Sequence, residues 1–222
     1  MKDKGRSPRI RYDEGCLAAH ALNLIGDRWA LLVVRELMFT PKRFQMIRAG
    51  LPGITASVLN GRLTQLQLAA VVGHDERLGI YALTDAGRGL LPVLESLCRW
   101  ALTVPGHDPV RHISPSALMI SMGVTLVRGR ALGGDRVAGF DFGSEAFEMQ
   151  VRGRRVETAA VLRPQAPFVL SGSGNALARA VYGPAPLSFL AAQGVVRAEG
   201  DLAAAQAFLD LFALAAQPDP LA

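Results

Sequence analysis

Apolar positions with helical spacing dominate the first hundred residues. Leu17, Ala21, Leu24 and Ile25 recur at i, i+4, i+7 and i+8, and Trp29, Leu32, Val33 and Leu37 at i, i+3, i+4 and i+8. This spacing predicts two short amphipathic helices divided at Gly26-Asp27. Thr40-Pro41 marks a turn before a brief helix with Phe44 and Ile47 inward, and Leu51-Pro52-Gly53 marks another. In the next helix, capped by Thr55, Leu59, Leu63 and Leu66 share one face while Ser57, Asn60, Gly61 and Thr64 share the other. That outer face is polar yet nearly uncharged, which is unusual for a merely solvated helix. Alternation then takes over: Val71-Val72 and Ile80 to Leu83, separated by the charged stretch Gly73 to Gly79, predict a hairpin. A helix capped by Thr84 is predicted to run to about Leu102, with a kink at Pro92.

Thr103 to Pro115 holds Pro105, Gly106, Pro109 and Pro115 and few large apolar residues, so it is assigned as a linker. Beyond it the pattern predicts a helix from Ser116 to about Leu126 and strands at Val137 to Phe142, Phe147 to Val151, Val156 to Leu162, Phe168 to Leu170 and Val195 to Ala198. Helices near Asn175 to Val181 and Asp201 to Ala215 complete an α+β unit. The expected organisation is a basic arm at 1–12, a first domain at 13–103, a linker at 104–115 and a second domain at 116–216.

Charge sharpens this division. The chain of 222 residues carries 24 basic and 19 acidic side chains, and the whole excess lies in residues 1–102, with 14 basic against 9 acidic. Only three of the basic residues are lysines, so the basic chemistry is guanidinium, suited to bidentate contact with phosphates or base edges. With half its residues hydrophobic, the chain is not of the disordered class. Two cysteines, Cys16 and Cys98, make no disulfide framework and point to a reducing compartment, the cytoplasm. The longest uncharged run, Ala180 to Val196, is broken by Gly183, Pro184, Pro186 and Gly194, so no membrane span or membrane partner is expected. The opening Met1 to Tyr12 has Lys2, Lys4, Arg6, Arg9 and Arg11 without an apolar core, which reads as a basic arm and not a signal peptide.

Three helices, a hairpin and a closing helix, in that order, describe a winged helix-turn-helix, which places one helix in the major groove while flanking groups hold phosphate. Thr55, Ser57, Asn60, Thr64 and Gln65 offer donors and acceptors for base edges on or beside the outward face of the helix from Thr55. Lys42, Arg43 and Arg48 on the preceding helix, Arg62, and Arg77 in the hairpin are the candidate phosphate contacts. The competing reading is a solvated polar helix in a small α/β domain.

Residues 16–102 also resemble the HxlR-type transcriptional regulators, a bacterial winged-helix family related to the MarR group. The resemblance rests on Cys16, Ala21-Leu22, Leu24-Ile25-Gly26-Asp27-Arg28-Trp29, Leu31-Leu32 and Arg35-Glu36-Leu37. It continues through Arg43-Phe44, Leu51-Pro52-Gly53-Ile54, Leu59, Arg62-Leu63, Leu66, Tyr81, Leu83-Thr84 and Gly87-Arg88. It implies a homodimer, assembled largely through the first and last helices of the domain, on a palindromic operator in double-stranded DNA. The chain departs from the family pattern at Leu17 (usually Pro), Thr64 (usually Arg or Lys), Gln67 (usually Glu) and Ala70 (usually Gly), and its hairpin is shorter. Cys16, near a helix start with Arg9, Arg11 and His20 close in sequence, is a candidate redox-sensing thiol, against the commoner reading of a structural cysteine.

The second domain shows no HExxH, no paired-cysteine metal site and no G-x-S-x-G, so no metal, cofactor or enzyme activity is expected. Gly172-Ser173-Gly174 fails the dinucleotide fingerprint, since Leu177 stands at the third glycine position; Ser173 is instead expected to cap a helix. What stands out is soft apolar bulk: Leu118, Met119, Met122, Phe140, Phe142, Phe147, Met149, Phe168, Phe189, Phe208 and Phe212. Such residues fill a core one by one, but as a set they are a candidate lining for an apolar ligand pocket. Phe168-Val169-Leu170, the helix to Tyr182-Gly183, and the ending Gly194-Val195-Val196-Arg197-Ala198-Glu199-Gly200-Asp201-Leu202 resemble the sterol carrier protein type 2 fold. That resemblance implies an apolar molecule held between sheet and helices.

The fold class expected is therefore α+β: a winged helix-turn-helix followed by a sterol-carrier-like domain, in a DNA-binding regulator with an apolar small-molecule effector. Two rivals stand beside it. One is a repressor switched through Cys16 alone; the other is a lipid-binding protein whose first domain only makes protein contacts.

Overall fold

The computed structural model describes residues 12–127 and 134–214. Lys2, Lys4, Arg6, Arg9 and Arg11 of the expected arm, and the expected end of the second domain at residue 216, lie outside the described residues.

The first unit contains α1 (Leu17–Ile25), α2 (Ala30–Glu36), β1 (Lys42–Arg43), α3 (Phe44–Ala49), α4 (Ala56–Leu68), β2 (Val72–Asp75), β3 (Ile80–Leu83), α5 (Asp85–Arg88) and α6 (Leu91–Ala101). The strands form an antiparallel sheet in the order β1-β3-β2. Leu59, Leu63 and Leu66 bury one stripe of α4 against Val33, Val34 and Ile47, as the helical period requires. Thr55 begins α4 by accepting the Val58 N–H at 3.3 Å, the usual cap on an orphaned helix donor. The exit of α4 is a Schellman turn: Val71 N–H donates to the Leu66 carbonyl and Ala70 N–H to that of Gln67, with Ala70 at φ +55°.

Three local expectations are corrected here. The two-residue strand β1 was not anticipated. The helix from Thr84 is broken into α5 and α6 at Gly89-Leu90, and Pro92 does not kink it. Pro92 lies in the first turn of α6, where its missing N–H is no loss, so it starts a helix there. Gly87 is a packing requirement, since a Cβ there would stand 2.2 Å from the Val71 carbonyl oxygen.

The second unit contains α7 (Pro115–Thr125), β4 (Arg136–Asp141), β5 (Ala146–Arg152), β6 (Arg155–Val161), β7 (Phe168–Ser171), α8 (Gly174–Tyr182), α9 (Leu187–Ala192), β8 (Arg197–Gly200) and α10 (Leu202–Leu209). Its five strands run in the order β6-β5-β4-β7-β8, with β4 and β7 parallel and every other pair antiparallel. Phe140 is in register with both Phe147 and Leu170, which sets three large side chains in one row on one face. The same face carries Ala138, Met149 and Phe168 and is buried under Leu118, Met122, Leu177 and Phe208 from the helices. Helix α9 was not anticipated, and the last helix ends at Leu209, short of the expected Ala215.

The two units share a packed seam. Helix α7 packs against α2 and α6 as well as on β6; its Ile120 belongs to the first core and its Leu118, Met119 and Met122 to the second. Phe39 touches both cores and meets Phe147 edge-on at 5.7 Å between ring centres. The expected linker therefore ends early. Ser114 is buried, caps α7 by accepting the Ala117 N–H, and donates to Glu36 Oε1 at 2.6 Å. Asn175 holds the preceding stretch by donating to the carbonyls of Val110 and Arg111 and accepting from the Ile113 N–H. Among the described residues no single helix is long and apolar enough to cross a membrane.

Candidate nucleic-acid interface

Helix α4 is the element that the rest of the first unit presents. With its leucine stripe buried, Ser57, Asn60 and Thr64 are left exposed on the opposite side, with Gly61 half-buried among them. Thr64 donates its hydroxyl proton to the Asn60 carbonyl at 3.0 Å, which leaves its oxygen lone pairs outward. This face offers hydroxyl and amide groups within a helix diameter and carries no charge of its own. An α-helix of this kind fits the major groove, where such groups distinguish base pairs. Thr55 is exposed at the start of the helix but spends its oxygen on the cap.

The basic residues separate into two groups. Arg43 on β1, Arg48 on α3 and Arg77 at the hairpin tip are exposed. Lys42 is not, and its assignment as a phosphate contact is corrected: only 2% exposed, its ammonium lies 3.4 Å from Glu36 Oε2 and 2.7 Å from Glu145 Oε1, and donates to Ser116 Oγ at 3.0 Å. Alternate residues of a strand face opposite ways, so β1 sends Lys42 inward and Arg43 outward. Glu145 is itself largely buried, and burial pushes its carboxyl above the ordinary value of 4.5, with Lys42 pulling the other way and Glu36 adding to the rise.

Arg62 and Gln65 are likewise internal braces and not free contacts. Arg62, 16% exposed, pairs with Asp27 at 3.1 Å and donates to Gln65 Oε1, while Gln65 Nε2 donates to the Leu24 carbonyl at 3.0 Å. Together they bolt α4 to the turn between α1 and α2. Asp27 was missed as a functional support, though the Gly26-Asp27 break marked the turn it sits in. On the hairpin, His74 and Tyr81 stack at 4.2 Å with their rings 13° from parallel, a rigid pair that periodicity did not signal.

Cys16 is exposed at the N-cap of α1, and the backbone N–H groups of Ala19 and Ala18 hold its thiol below the ordinary value. Cys98 on α6 is half-buried, and burial pushes its thiol up. Helices α1 and α6 expose an apolar surface: Leu17 and Leu22 on one, Val93, Leu97 and Trp100 on the other, with Trp100 64% exposed.

The candidate pocket residues of the second unit are brought together, mostly as packing. Leu118, Met119, Met122, Phe140, Phe147, Met149, Phe168, Phe208 and Phe212 are buried against one another, and Phe142 is partly buried beside them. Phe168 and Phe208 also line a surface cleft of about 350 Å³ with Arg136 at its margin, and Phe212 borders another of about 330 Å³. Phe189 is the exception: it is 55% exposed on α9 and takes no part in this cluster. Tyr182 reaches the seam side of α7, bonded to Ser121 and Thr125, and burial raises its phenol to about 12. Ser173 caps α8 by accepting the Ala176 N–H. No cluster of three or more His, Cys, Asp or Glu fit to hold a metal ion occurs among the described residues.

Comparison with known proteins places the family match in the first unit. The profile of the HxlR-like helix-turn-helix family matches residues 24–107. The HTH-type transcriptional regulator YvaP of Bacillus subtilis is 37% identical over 87 residues, which span 36% of this chain and 80% of that protein. An HTH-type regulator of Synechocystis, sll1512, is 33% identical over 99 residues, 42% of this chain and 73% of that protein. Among solved structures, quinone-bound YodB from B. subtilis is similar at 33% identity, covering 39% of this chain and 97% of that one with a TM-score of 0.37.

Proposed function

The chain belongs to the HxlR-like helix-turn-helix family of transcriptional regulators, and from that premise we propose that it grips a palindromic operator as a cytoplasmic homodimer. Ser57, Asn60 and Thr64 read base edges, Arg43 and Arg48 hold the flanking phosphates, and Arg77 reaches the backbone from the hairpin. The single observation that carries this reading is the outer face of α4, polar, uncharged and exposed along a helix whose other side is fully buried. The apolar faces of α1 and α6 supply the dimer contact, since a soluble domain rarely leaves Leu17, Leu97 and Trp100 exposed without a partner. The second unit, with its sterol-carrier resemblance and phenylalanine-rich face, senses an apolar small molecule and performs no catalysis. Selection from a random duplex pool by the full-length chain tests the proposal: enrichment of an inverted repeat is expected, and no enrichment at low salt sinks it.

A second reading is favoured by one observation, the exposed low-value thiol of Cys16 at a helix start. In this reading an oxidant or electrophile modifies Cys16 and releases DNA. Release by diamide that persists in Cys16→Ser rules it out.

A further inference from the structure

Strand β1 consists of Lys42 and Arg43 alone, and its place in the sheet rests on two pairs, Lys42 with Tyr81 and Arg43 with Ile80. Arg43 is also the N-cap of α3. Among the described residues its guanidinium makes no ion pair and no hydrogen bond, so only the backbone beneath it fixes where it points. The remaining hold on β1 is inward, through its neighbour. The Lys42 ammonium donates to Ser116 Oγ and Glu145 Oε2 at 3.0 Å each and to Glu36 Oε2 at 3.4 Å, which engages all three of its protons inside the molecule. Glu36 also pairs with Arg35 at 2.8 Å, and Arg35 donates to the carbonyl of Gly50, the C-cap of α3, at 3.2 Å. Both ends of α3 are thus moored to Glu36, one through Lys42 and the other through Arg35. Two cations and two carboxylates make up this network, and its charge balances only with Glu145, which the second unit supplies. Glu145 itself sits in a braced turn: its carbonyl accepts the Phe142 N–H at 2.9 Å, Gly143 N–H donates to Asp141 Oδ1 at 2.8 Å, and Phe142 meets Phe147 edge-on at 5.8 Å between ring centres.

We infer that Glu145 is a positioning residue for DNA binding: by holding Lys42 it fixes β1 and the start of α3, and so aims the Arg43 guanidinium at an operator phosphate. This rests on the reading of Arg43 as a phosphate contact proposed above, and it names the second-unit residue on which that contact depends. A guanidinium–phosphate pair is directional, so it is lost when the backbone carrying the side chain is released. Without Glu145 the Lys42 ammonium stays buried with one carboxylate that it shares with Arg35, and β1 keeps only its two pairs with β3. The second unit thereby bears on operator affinity without touching DNA, and a ligand there gains influence to the extent that it favours one arrangement of the β4–β5 turn.

Salt-titrated anisotropy with full-length chains, on the duplex enriched by the selection above, tests this in a double-variant cycle. Glu145→Ala is expected to weaken binding by about tenfold and to lower the salt slope by about one, as Arg43→Ala does. The double variant is expected to bind within about twofold of Arg43→Ala alone, because both changes delete the same contact. Additive losses overturn the inference, and so does weaker binding with an unchanged slope, since a general loosening of the fold removes no single phosphate contact. Should Glu145→Ala fail to melt cooperatively, Glu145→Asp, whose carboxylate stops one methylene short of Lys42, is read in the same cycle by the same criteria. A parent chain that binds no duplex sinks the regulator and this inference together. A parent chain that binds, with the slope lowered by Arg43→Ala and not by the Glu145 variant, sinks this inference alone.

Discussion

Lys42 and Glu145 meet in the interior although 103 residues of chain separate them: the ammonium lies 2.7 Å from one carboxylate oxygen and donates to the other at 3.0 Å. Glu36 shares the same ammonium at 3.4 Å, and Ser114 and Ser116 from α7 bond to Glu36 in turn. Gly50 belongs to the same arrangement, because a Cβ there would stand 2.2 Å from Glu36 Oε2. One buried charge thus ties the first strand of the winged sheet to the turn between β4 and β5. The orientation of the hairpin relative to the second unit is set in the core and not at the surface.

The adjacent pair Lys42 and Arg43 should therefore behave oppositely on mutation. Lys42→Ala leaves the buried Glu145 carboxyl without its cation and Glu36 with Arg35 alone, and is expected to cost about 3 to 5 kcal/mol of stability. Arg43→Ala should stay within about 0.5 kcal/mol yet flatten the salt dependence of operator binding by about one unit of slope. Urea titrations and salt-titrated anisotropy measure the two effects. Equal stability losses would place both side chains in the interior and refute their opposite facing on β1.

Glu145 gives this joint a pH dependence of known sign. Its carboxyl is raised by burial above 4.5 in the folded chain, so the folded state holds its proton more tightly than the unfolded one. That contribution to stability is complete below the ordinary carboxylate value and is lost as pH rises through the raised one. Glu145→Gln removes this term and can still accept from Lys42. Urea midpoints from acid to neutral pH should show the variant gaining on the parent chain as pH rises; a gap that is constant or shrinks with pH refutes the assignment.

What was legible in the sequence was local. Leu59, Leu63 and Leu66 announce their helix by spacing, Thr55 and Thr84 announce the starts of theirs, and alternation found the strands of the second unit within a residue or two. Contacts between distant segments left no such mark. Lys42 looked like the twin of Arg43 because a two-residue strand is too short to display its alternation, and the partner that buries it lies beyond the linker. Arg62 has the composition of a phosphate contact, and only the fold brings Asp27 to it. Helix α9 was hidden by Pro184, Pro186 and Gly194 around it, and the phenylalanines could not reveal whether they enclose space or fill it.

Ala70 marks a point where the backbone asks for another residue. It holds φ +55° at the exit of α4, a left-handed conformation that a Cβ makes costly by roughly 1 to 2 kcal/mol, part of which glycine gives back through its freer unfolded chain. Ala70→Gly is thus expected to stabilise the chain by about 0.5 to 1 kcal/mol, seen as a higher melting temperature with operator affinity unchanged. A lower melting temperature would mean that the Schellman turn is not kept in solution.

Asn60 and Arg62 sit two positions apart on one helix and separate reading from bracing. Asn60 is exposed with its amide free of the core, so Asn60→Ala should leave the melting temperature alone. It should cost about 1 to 3 kcal/mol in operator binding and relax preference at a single base position in each half-site. Arg62 ties α4 to Asp27 and, through Gln65, to the end of α1. Its removal strands a partly buried carboxylate and is expected to lower stability by about 1 to 3 kcal/mol. Because α4 then loses its fixed angle, binding should weaken alike on matched and mismatched operators, with the salt slope unchanged. Binding to a panel of single-base operator variants, paired with thermal melts, resolves the two. If Asn60→Ala leaves every operator variant bound as before, α4 does not read DNA through this face.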